Sequence, residues 1–173
     1  MKVKIRSMAS AFFRRFTSVP ALGMSVFMVA CAPENIAEIR ASDPDVPAFS
    51  KQLHLQYGAL ALRKIEEGNP VSAAYFLVKA EQAAAGMTVM PDRDPEKNKI
   101  IEHAYHSLDM VLSDSGSEIA PAVKARAQVM YDCWLEEMQQ AVDPGDIAAC
   151  KLAFEQAILV SRQVKLPAGQ VRQ

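Results

Sequence analysis

The sequence lacks the short motifs that mark the common enzyme classes. It contains no G-x-S-x-G turn, no phosphate-binding loop and no dinucleotide-binding fingerprint. Its three cysteines form no C-x-x-C pair of the kind that holds structural zinc. From these absences we expect a non-enzymatic protein without a cofactor or a metal site.

The sequence also lacks an apolar run long enough to cross a bilayer. The most apolar stretch, residues 16–30, has about fifteen residues and is interrupted by Pro20 and Gly23, whereas a membrane-spanning helix needs roughly 20. Residues 1–15 carry five cations and no acidic residue. A basic segment followed by a short apolar run is typical of a signal peptide, and we expect residues 1–30 to be one.

The end of this leader predicts a specific modification. Met28 is apolar, Ala30 is small, and Cys31 follows directly. This pattern resembles the lipobox of bacterial lipoproteins, although Met28 stands where leucine is usual. The resemblance implies cleavage between Ala30 and Cys31 and attachment of acyl chains such as palmitate to Cys31. Two or three such chains make the membrane anchoring effectively permanent. In such lipoproteins an aspartate directly after the cysteine favours retention in the inner membrane. Because Ala32 stands at that position here, the resemblance also implies an outer-membrane location facing the periplasm. The alternative is an ordinary secretory signal, or a short membrane anchor, with an unrelated cysteine.

Removal of the leader would leave an acidic protein. The chain has 19 basic and 20 acidic residues, and the five charges of the leader are all basic, so 14 basic residues would remain against 20 acidic ones, a net charge of −6. An acidic surface argues against nucleic-acid binding and against electrostatic adhesion to anionic lipids. We therefore expect membrane contact through the N-terminal lipid and a protein partner in the cell envelope.

The mature chain divides into a tether, a helical domain and a tail. Residues 31–46 contain two prolines, two aspartates and few large apolar residues, which predicts a tether. From residue 47 to residue 165, apolar side chains recur at helical spacing. Residues 166–173 predict a disordered tail.

The domain is predicted to be all-α, with about five helices arranged as two antiparallel hairpins and a connecting helix. Glycines and caps mark the helix ends. The expected boundaries are Gly68 after the first helix, Asn69-Pro70 and Gly86 around the second, Asp94-Pro95-Glu96 and about Leu112 around the third, Pro121 at the start of the fourth, and Asp146 as the cap of the fifth.

The first hairpin weakly resembles one tetratricopeptide unit. The similar positions are Tyr57, Leu60 and Ala61 on one helix and Ala73, Leu77 and Ala80 on the next. The terminal proline of that motif is missing and no second clear copy follows, while such units need about three copies for stability. A generic helical hairpin is the alternative.

Two cysteines lie on the arms of the second predicted hairpin. Cys133 stands about ten residues before the turn and Cys150 about four residues after Asp146, so their levels would differ by several Å at about 1.5 Å per residue. In an oxidising compartment we expect them to form a disulfide, and two buried free thiols are the alternative.

Part of the mature sequence resembles a known family. Residues 127–137 read AQVMYDCWLEE, and DIAAC at 146–150 and Phe154 follow. Together with Lys79-Ala80, residues 83–86 and Pro91, they are similar to the N-terminal helical region of alphaproteobacterial lipoproteins of the outer-membrane-protein-A family. The resemblance covers most of residues 50–160 and implies an envelope location, a helical fold and pairing of Cys133 with Cys150. No residue here matches the aspartate and arginine by which that family's C-terminal domain binds peptidoglycan.

Two further clusters give alternative functions. Glu102, His103 and His106 could share a metal in a hydrolase, but the spacing differs from H-E-x-x-H and no third ligand is evident. His54 stands alone and is expected at the surface or its boundary.

A carrier of small apolar ligands is the other alternative, with a predicted pocket between the hairpins lined by Met87, Met90, Tyr105 and Trp134.

Overall fold

The computed structural model describes residues 42–115, 119–141 and 143–164. Throughout these residues the regular secondary structure is helical, so the prediction of an all-α fold with five helices is confirmed. The predicted signal peptide, Cys31, most of the tether and the tail lie outside the described residues. None of the described helices is both long and apolar enough to cross a membrane. The helices are α1 (Ala48–Glu66), α2 (Pro70–Ala84), α3 (Lys99–Leu112), α4 (Pro121–Gln140) and α5 (Pro144–Val164).

Two helical hairpins form the body of the domain. A three-residue connection joins α1 to α2 and another joins α4 to α5, and the two helices of each pair pack along one another. α1 also packs against α4, which joins the hairpins, and α3 packs against α4 and α5. The tetratricopeptide-like character of the first hairpin stays a prediction.

Local chemistry sets the turn of the first hairpin as predicted. Gly68 has a φ of +76°, and its N–H donates to the carbonyl of Ile65 at 2.9 Å, which is part of a glycine-terminated helix end. The side chain of Asn69 then accepts from the N–H of Ser72 at 3.1 Å, with Pro70 at the first helical position. Each terminus therefore satisfies its own backbone groups within a few residues.

The predicted start of α3 at Asp94 is wrong. The Asp94 carboxylate accepts from the N–H groups of Glu96 at 3.0 Å and Asn98 at 2.7 Å, so it holds a turn that precedes the helix. Asn98 is the actual cap, since its side chain accepts from the N–H of Ile100 at 2.9 Å.

The predicted start of α5 at Asp146 is also wrong. The helix begins at Pro144, and the carboxylate of Asp143 accepts from the N–H of Gly145 at 2.7 Å. Asp143 therefore acts as the cap, and Pro144 takes the first helical position, where its missing N–H is harmless.

α4 is the central helix of the domain. Eleven of its 20 residues are buried, because α1, α3 and α5 all pack against it. Even near its C-terminal end, Glu136 and Gln140 are half-buried. Ser72 of α2 donates a hydrogen bond to Glu136 and accepts one from Gln140 at 2.6 Å. A helix surrounded in this way has no wholly polar face.

Candidate functional site

An open groove runs between α3 and α5, with α4 beneath it. Its volume is about 380 Å³, and Trp134 of α4 and Phe154 of α5 lie at its base. The two rings lie 5.9 Å apart between centroids. A concave apolar site of this size is typical of small-molecule binding sites.

Helical periodicity places the lining residues on facing sides of the groove. On α3 the lining positions are Ile100, His103, Ala104 and Ser107, which follow the i, i+3, i+4, i+7 spacing of one helix face. On α5 they include Lys151, Phe154, Ile158 and Arg162, which share one face in the same way. Each helix therefore presents a continuous stripe to the groove.

Apolar side chains extend from the base to the rim. Ile100 is 63% exposed and Leu159 is 55% exposed, whereas Trp134 beneath them is only 4% exposed. The ammonium of Lys151 lies 5.6 Å from the centre of the Trp134 ring, within the range of a cation–π contact. The groove thus combines an aromatic base, an apolar rim and a cation.

The predicted composition of the ligand pocket is wrong except for Trp134. Val89 is buried, while Met87 and Met90 on either side of it are largely exposed. Tyr105 lines a different groove, where the guanidinium carbon of Arg93 lies 3.5 Å from its ring centre. In the connection between the hairpins, Val89 therefore faces the core and both methionines face solvent. The four predicted pocket residues do not line a common site.

The structure divides the predicted histidine cluster between two grooves. Glu102, His103 and His106 are all exposed on α3. His103 lines the α3–α5 groove, whereas His106 and Glu102 line the groove beside Tyr105. No third metal ligand accompanies both histidines anywhere in the described ranges. A hydrolase that uses the two histidines together gains no support from this arrangement.

Cys133 and Cys150 are joined by a disulfide between α4 and α5, with an S–S distance of 2.08 Å and a Cα–Cα distance of 5.7 Å. Because α5 starts at Pro144, Cys150 is six residues after its start and Cys133 is seven residues before the end of α4. The expected mismatch in level is therefore wrong. Cys31 and Ala30, the predicted lipidation and cleavage residues, lie outside the described residues.

Sequence reasoning missed a buried ionic network around Asp132. This carboxylate is fully buried and accepts hydrogen bonds from the Lys79 ammonium at 2.7 Å, from the backbone N–H of Asp92 at 2.9 Å and from the Tyr57 hydroxyl. Burial raises the pKa of Asp132 to about 6, while Lys79 opposes that increase. Burial, followed by the charge of Asp132, also raises the pKa of Tyr57.

The sequence contains a signal for this network. Within residues 125–135, ARAQVMYDCWL, Gln128 and Asp132 are polar residues four positions apart among mostly apolar ones, so they share one helix face. Both are buried, and Gln128 donates to the carbonyl of Val89 at 2.8 Å. The network holds the segment between the two hairpins against α4, so its role is structural.

A second buried cation lies at the other end of the same hairpins. Lys64 is 1% exposed; its ammonium lies 2.5 Å from a carboxylate oxygen of Glu67 and also pairs with Glu137. Asp146 brings a third carboxylate into the same cluster. The lysine balances part of this negative charge, and the arrangement is an ion-pair cluster that links α1, α4 and α5.

The expectation that His54 lies near the surface is wrong. It is 1% exposed, with Nδ1 located 3.1 Å from the carbonyl oxygen of Ala80 and Nε2 located 2.7 Å from the hydroxyl of Ser42. Because a carbonyl can only accept, Nδ1 carries the hydrogen. His54 therefore joins α1 to α2 and to the segment before α1.

Comparison of the chain with models of known protein families, with curated proteins and with solved structures gave no significant match in any of the three. The resemblance to outer-membrane-protein-A family lipoproteins stays a prediction. Function is therefore inferred from the residues of this chain and from their geometry.

Proposed function

We propose that this chain is a non-enzymatic lipoprotein of the bacterial cell envelope, anchored in the outer membrane by lipid on Cys31 and facing the periplasm. Its helical domain would bind a protein partner there. The observation that carries the proposal is the sequence of residues 28–31 after a basic leader with a short apolar run.

Two features of the domain support this location. A disulfide between α4 and α5 suits an oxidising compartment such as the periplasm. After loss of the leader the protein is acidic, so its surface would be repelled by an anionic membrane and would not bind it electrostatically. Covalent lipid would supply that attachment, since each buried CH₂ adds about 0.8 kcal/mol.

Metabolic labelling with an alkyne fatty acid tests the anchor. The wild-type chain, expressed in its native host, is expected to take up label, and Cys31→Ala is expected to lose it. Met28→Leu, which restores the usual lipobox residue, is the matched control and should keep full labelling. An unlabelled wild-type chain would contradict the proposal.

Membrane fractionation tests the location separately. We expect the wild-type protein in the outer-membrane fraction and Ala32→Asp in the inner-membrane fraction. The same distribution for both proteins would contradict the role given to Ala32.

A second candidate function is that of a carrier of small apolar ligands. The α3–α5 groove, with Trp134 at its base and Ile100 and Leu159 at its rim, favours it. Such a ligand would exclude water from the groove, and it would stabilise the folded protein by an amount that grows with the logarithm of its concentration relative to Kd. Thermal unfolding with and without added ligand provides the first test.

A further inference from the structure

The charges that line the α3–α5 groove are mainly positive. Lys151 and Arg162 are its permanent cations and Glu155 is its single acidic residue, with His103 opposite on α3. In a protein that is acidic after loss of its leader, this local excess of positive charge favours an anionic ligand.

The two cations differ in their surroundings. Lys151 lies 3.9 Å from Glu155 and also faces the ring of Trp134. Arg162 is exposed and has no ion-pair partner within the described part of the chain. A guanidinium that borders an apolar groove can bind a carboxylate or a phosphate with two parallel hydrogen bonds.

The two cations stand at well-separated positions along α5. Lys151 and Arg162 are separated by eleven residues of α5, or about 16 Å along its axis. Trp134, Phe154 and Ile158 line the groove that these cations border. An extended hydrocarbon chain could contact these apolar residues along the length of α5, whereas a compact ring system would contact fewer of them.

We propose that the α3–α5 groove binds a single-chain anionic amphiphile, with its carboxylate or phosphate head on Arg162 and its aliphatic chain over Trp134 and Phe154. The inference rests on the second candidate function, that of a ligand carrier, and is independent of lipid on Cys31. A small ligand suits the groove because its volume of about 380 Å³ lies within the usual range for such sites.

Fluorescence of Trp134, the single tryptophan of the chain, can report binding directly. The full chain with Cys31→Ala, which cannot carry the predicted lipid, is titrated with four probes below their micelle concentrations. These are laurate, dodecyl phosphate, dodecanol and dodecyltrimethylammonium. Saturable changes are expected for laurate and dodecyl phosphate, at affinities at least tenfold above those of the neutral and cationic probes. The ratio between laurate and dodecyl phosphate distinguishes a carboxylate head from a phosphate head.

Two pairs of variants assign the contact to the groove. Arg162→Gln is expected to weaken laurate binding about tenfold, the effect of losing one charge-assisted interaction, whereas Arg126→Gln, in a different groove, should leave it unchanged. Leu159→Asp should abolish binding. Leu152→Asp is the control, because Leu152 lies on the same helix outside this groove and is 56% exposed, against 55% for Leu159. This variant should retain laurate binding. Circular dichroism shows whether each variant is folded.

Several results would overturn the inference. Equal affinity for all four probes would remove the role of charge, and unchanged laurate binding in folded Arg162→Gln would remove the role of Arg162. Equal losses in Leu159→Asp and Leu152→Asp would place binding elsewhere. If laurate fails while an acidic amphipathic peptide binds with the same dependence on Leu159 and Arg162, the groove accommodates a protein segment instead. None of these results depends on whether Cys31 is lipidated.

Discussion

The ammonium of Lys79 on α2 lies 2.7 Å from the carboxylate of Asp132 on α4, and both side chains are buried. The same ammonium lies 2.8 Å from Asp92, which belongs to the connection between the hairpins. One lysine thus joins three parts of the chain that are distant in sequence. Its removal would leave the Asp132 charge buried without its cation.

Lys79→Met is expected to destabilise the domain by about 3–5 kcal/mol, the range for breaking one partner of a buried ion pair. Urea unfolding of the purified protein measures the change. Lys151→Met is the matched control, because Lys151 pairs with Glu155 at an exposed site, where such pairs contribute about 1 kcal/mol or less. Similar losses in the two variants would contradict the structural role of Lys79.

The stability of the domain should depend on pH through Asp132. Burial raises the pKa of this carboxyl from its ordinary 3.8 to about 6 in the folded protein, so the folded state binds the proton more tightly than the unfolded state does. Its contribution to stability is therefore fully present below the ordinary pKa and is lost as the pH rises through about 6.

Urea unfolding of wild type and Asp132→Asn near pH 4 and pH 7.5 measures this contribution. The free energy of unfolding of wild type minus that of the variant should be larger at the lower pH. Glu136, whose pKa is also raised by burial, is present in both proteins and cancels in the difference. A difference that stays constant, or that grows with pH, would contradict the prediction.

The number of helices and the turn at Gly68 could be predicted because they depend on neighbouring residues. A left-handed glycine followed by Asn69-Pro70 ends one helix and starts the next without help from the rest of the fold. The predicted starts of α3 and α5 were wrong because two possible capping residues lie close together in each case, Asp94 and Asn98 before α3 and Asp143 and Asp146 before α5. Local sequence does not decide between such pairs.

The candidate site could be predicted only in part. Trp134 does line a groove, but that groove lies between α3 and α5 and not between the hairpins as predicted. Its neighbours Ile100 and Leu159 could not be identified, because they depend on how α3 lies against α5. Burial of Asp132 was missed for a similar reason, since periodicity identifies one apolar face and α4 packs on several sides.

Two residues with positive φ provide a pair of opposite predictions. Gly68 has φ +76° and nothing within 4 Å of an added Cβ, so Gly68→Ala should destabilise the domain by about 1 kcal/mol through backbone strain alone. Ala141, which follows α4, has φ +51°, and Ala141→Gly should stabilise by a smaller amount. Thermal unfolding measures both changes. A shift of the same sign in the two variants would contradict the backbone argument.

The disulfide should contribute to stability by restricting the unfolded chain. Cys133 and Cys150 are 17 residues apart, and closing a loop of that length is worth about 3 kcal/mol on the chain-entropy model. Cys133→Ser combined with Cys150→Ser is expected to lose about this amount in urea unfolding, whereas Cys31→Ala, the control for removing a cysteine, should lose none.

Thiol counting in denaturant tests the bond itself. In the full chain with Cys31→Ala, Cys133 and Cys150 are the cysteines that remain, so the count should be zero before reduction and two after it. Protein purified from the periplasm must be used, because a reducing cytosol would keep both thiols free. Two reactive thiols in unreduced periplasmic protein would show that the cysteines are close but unbonded. The double serine variant would then lose only the packing of two buried sulfur atoms.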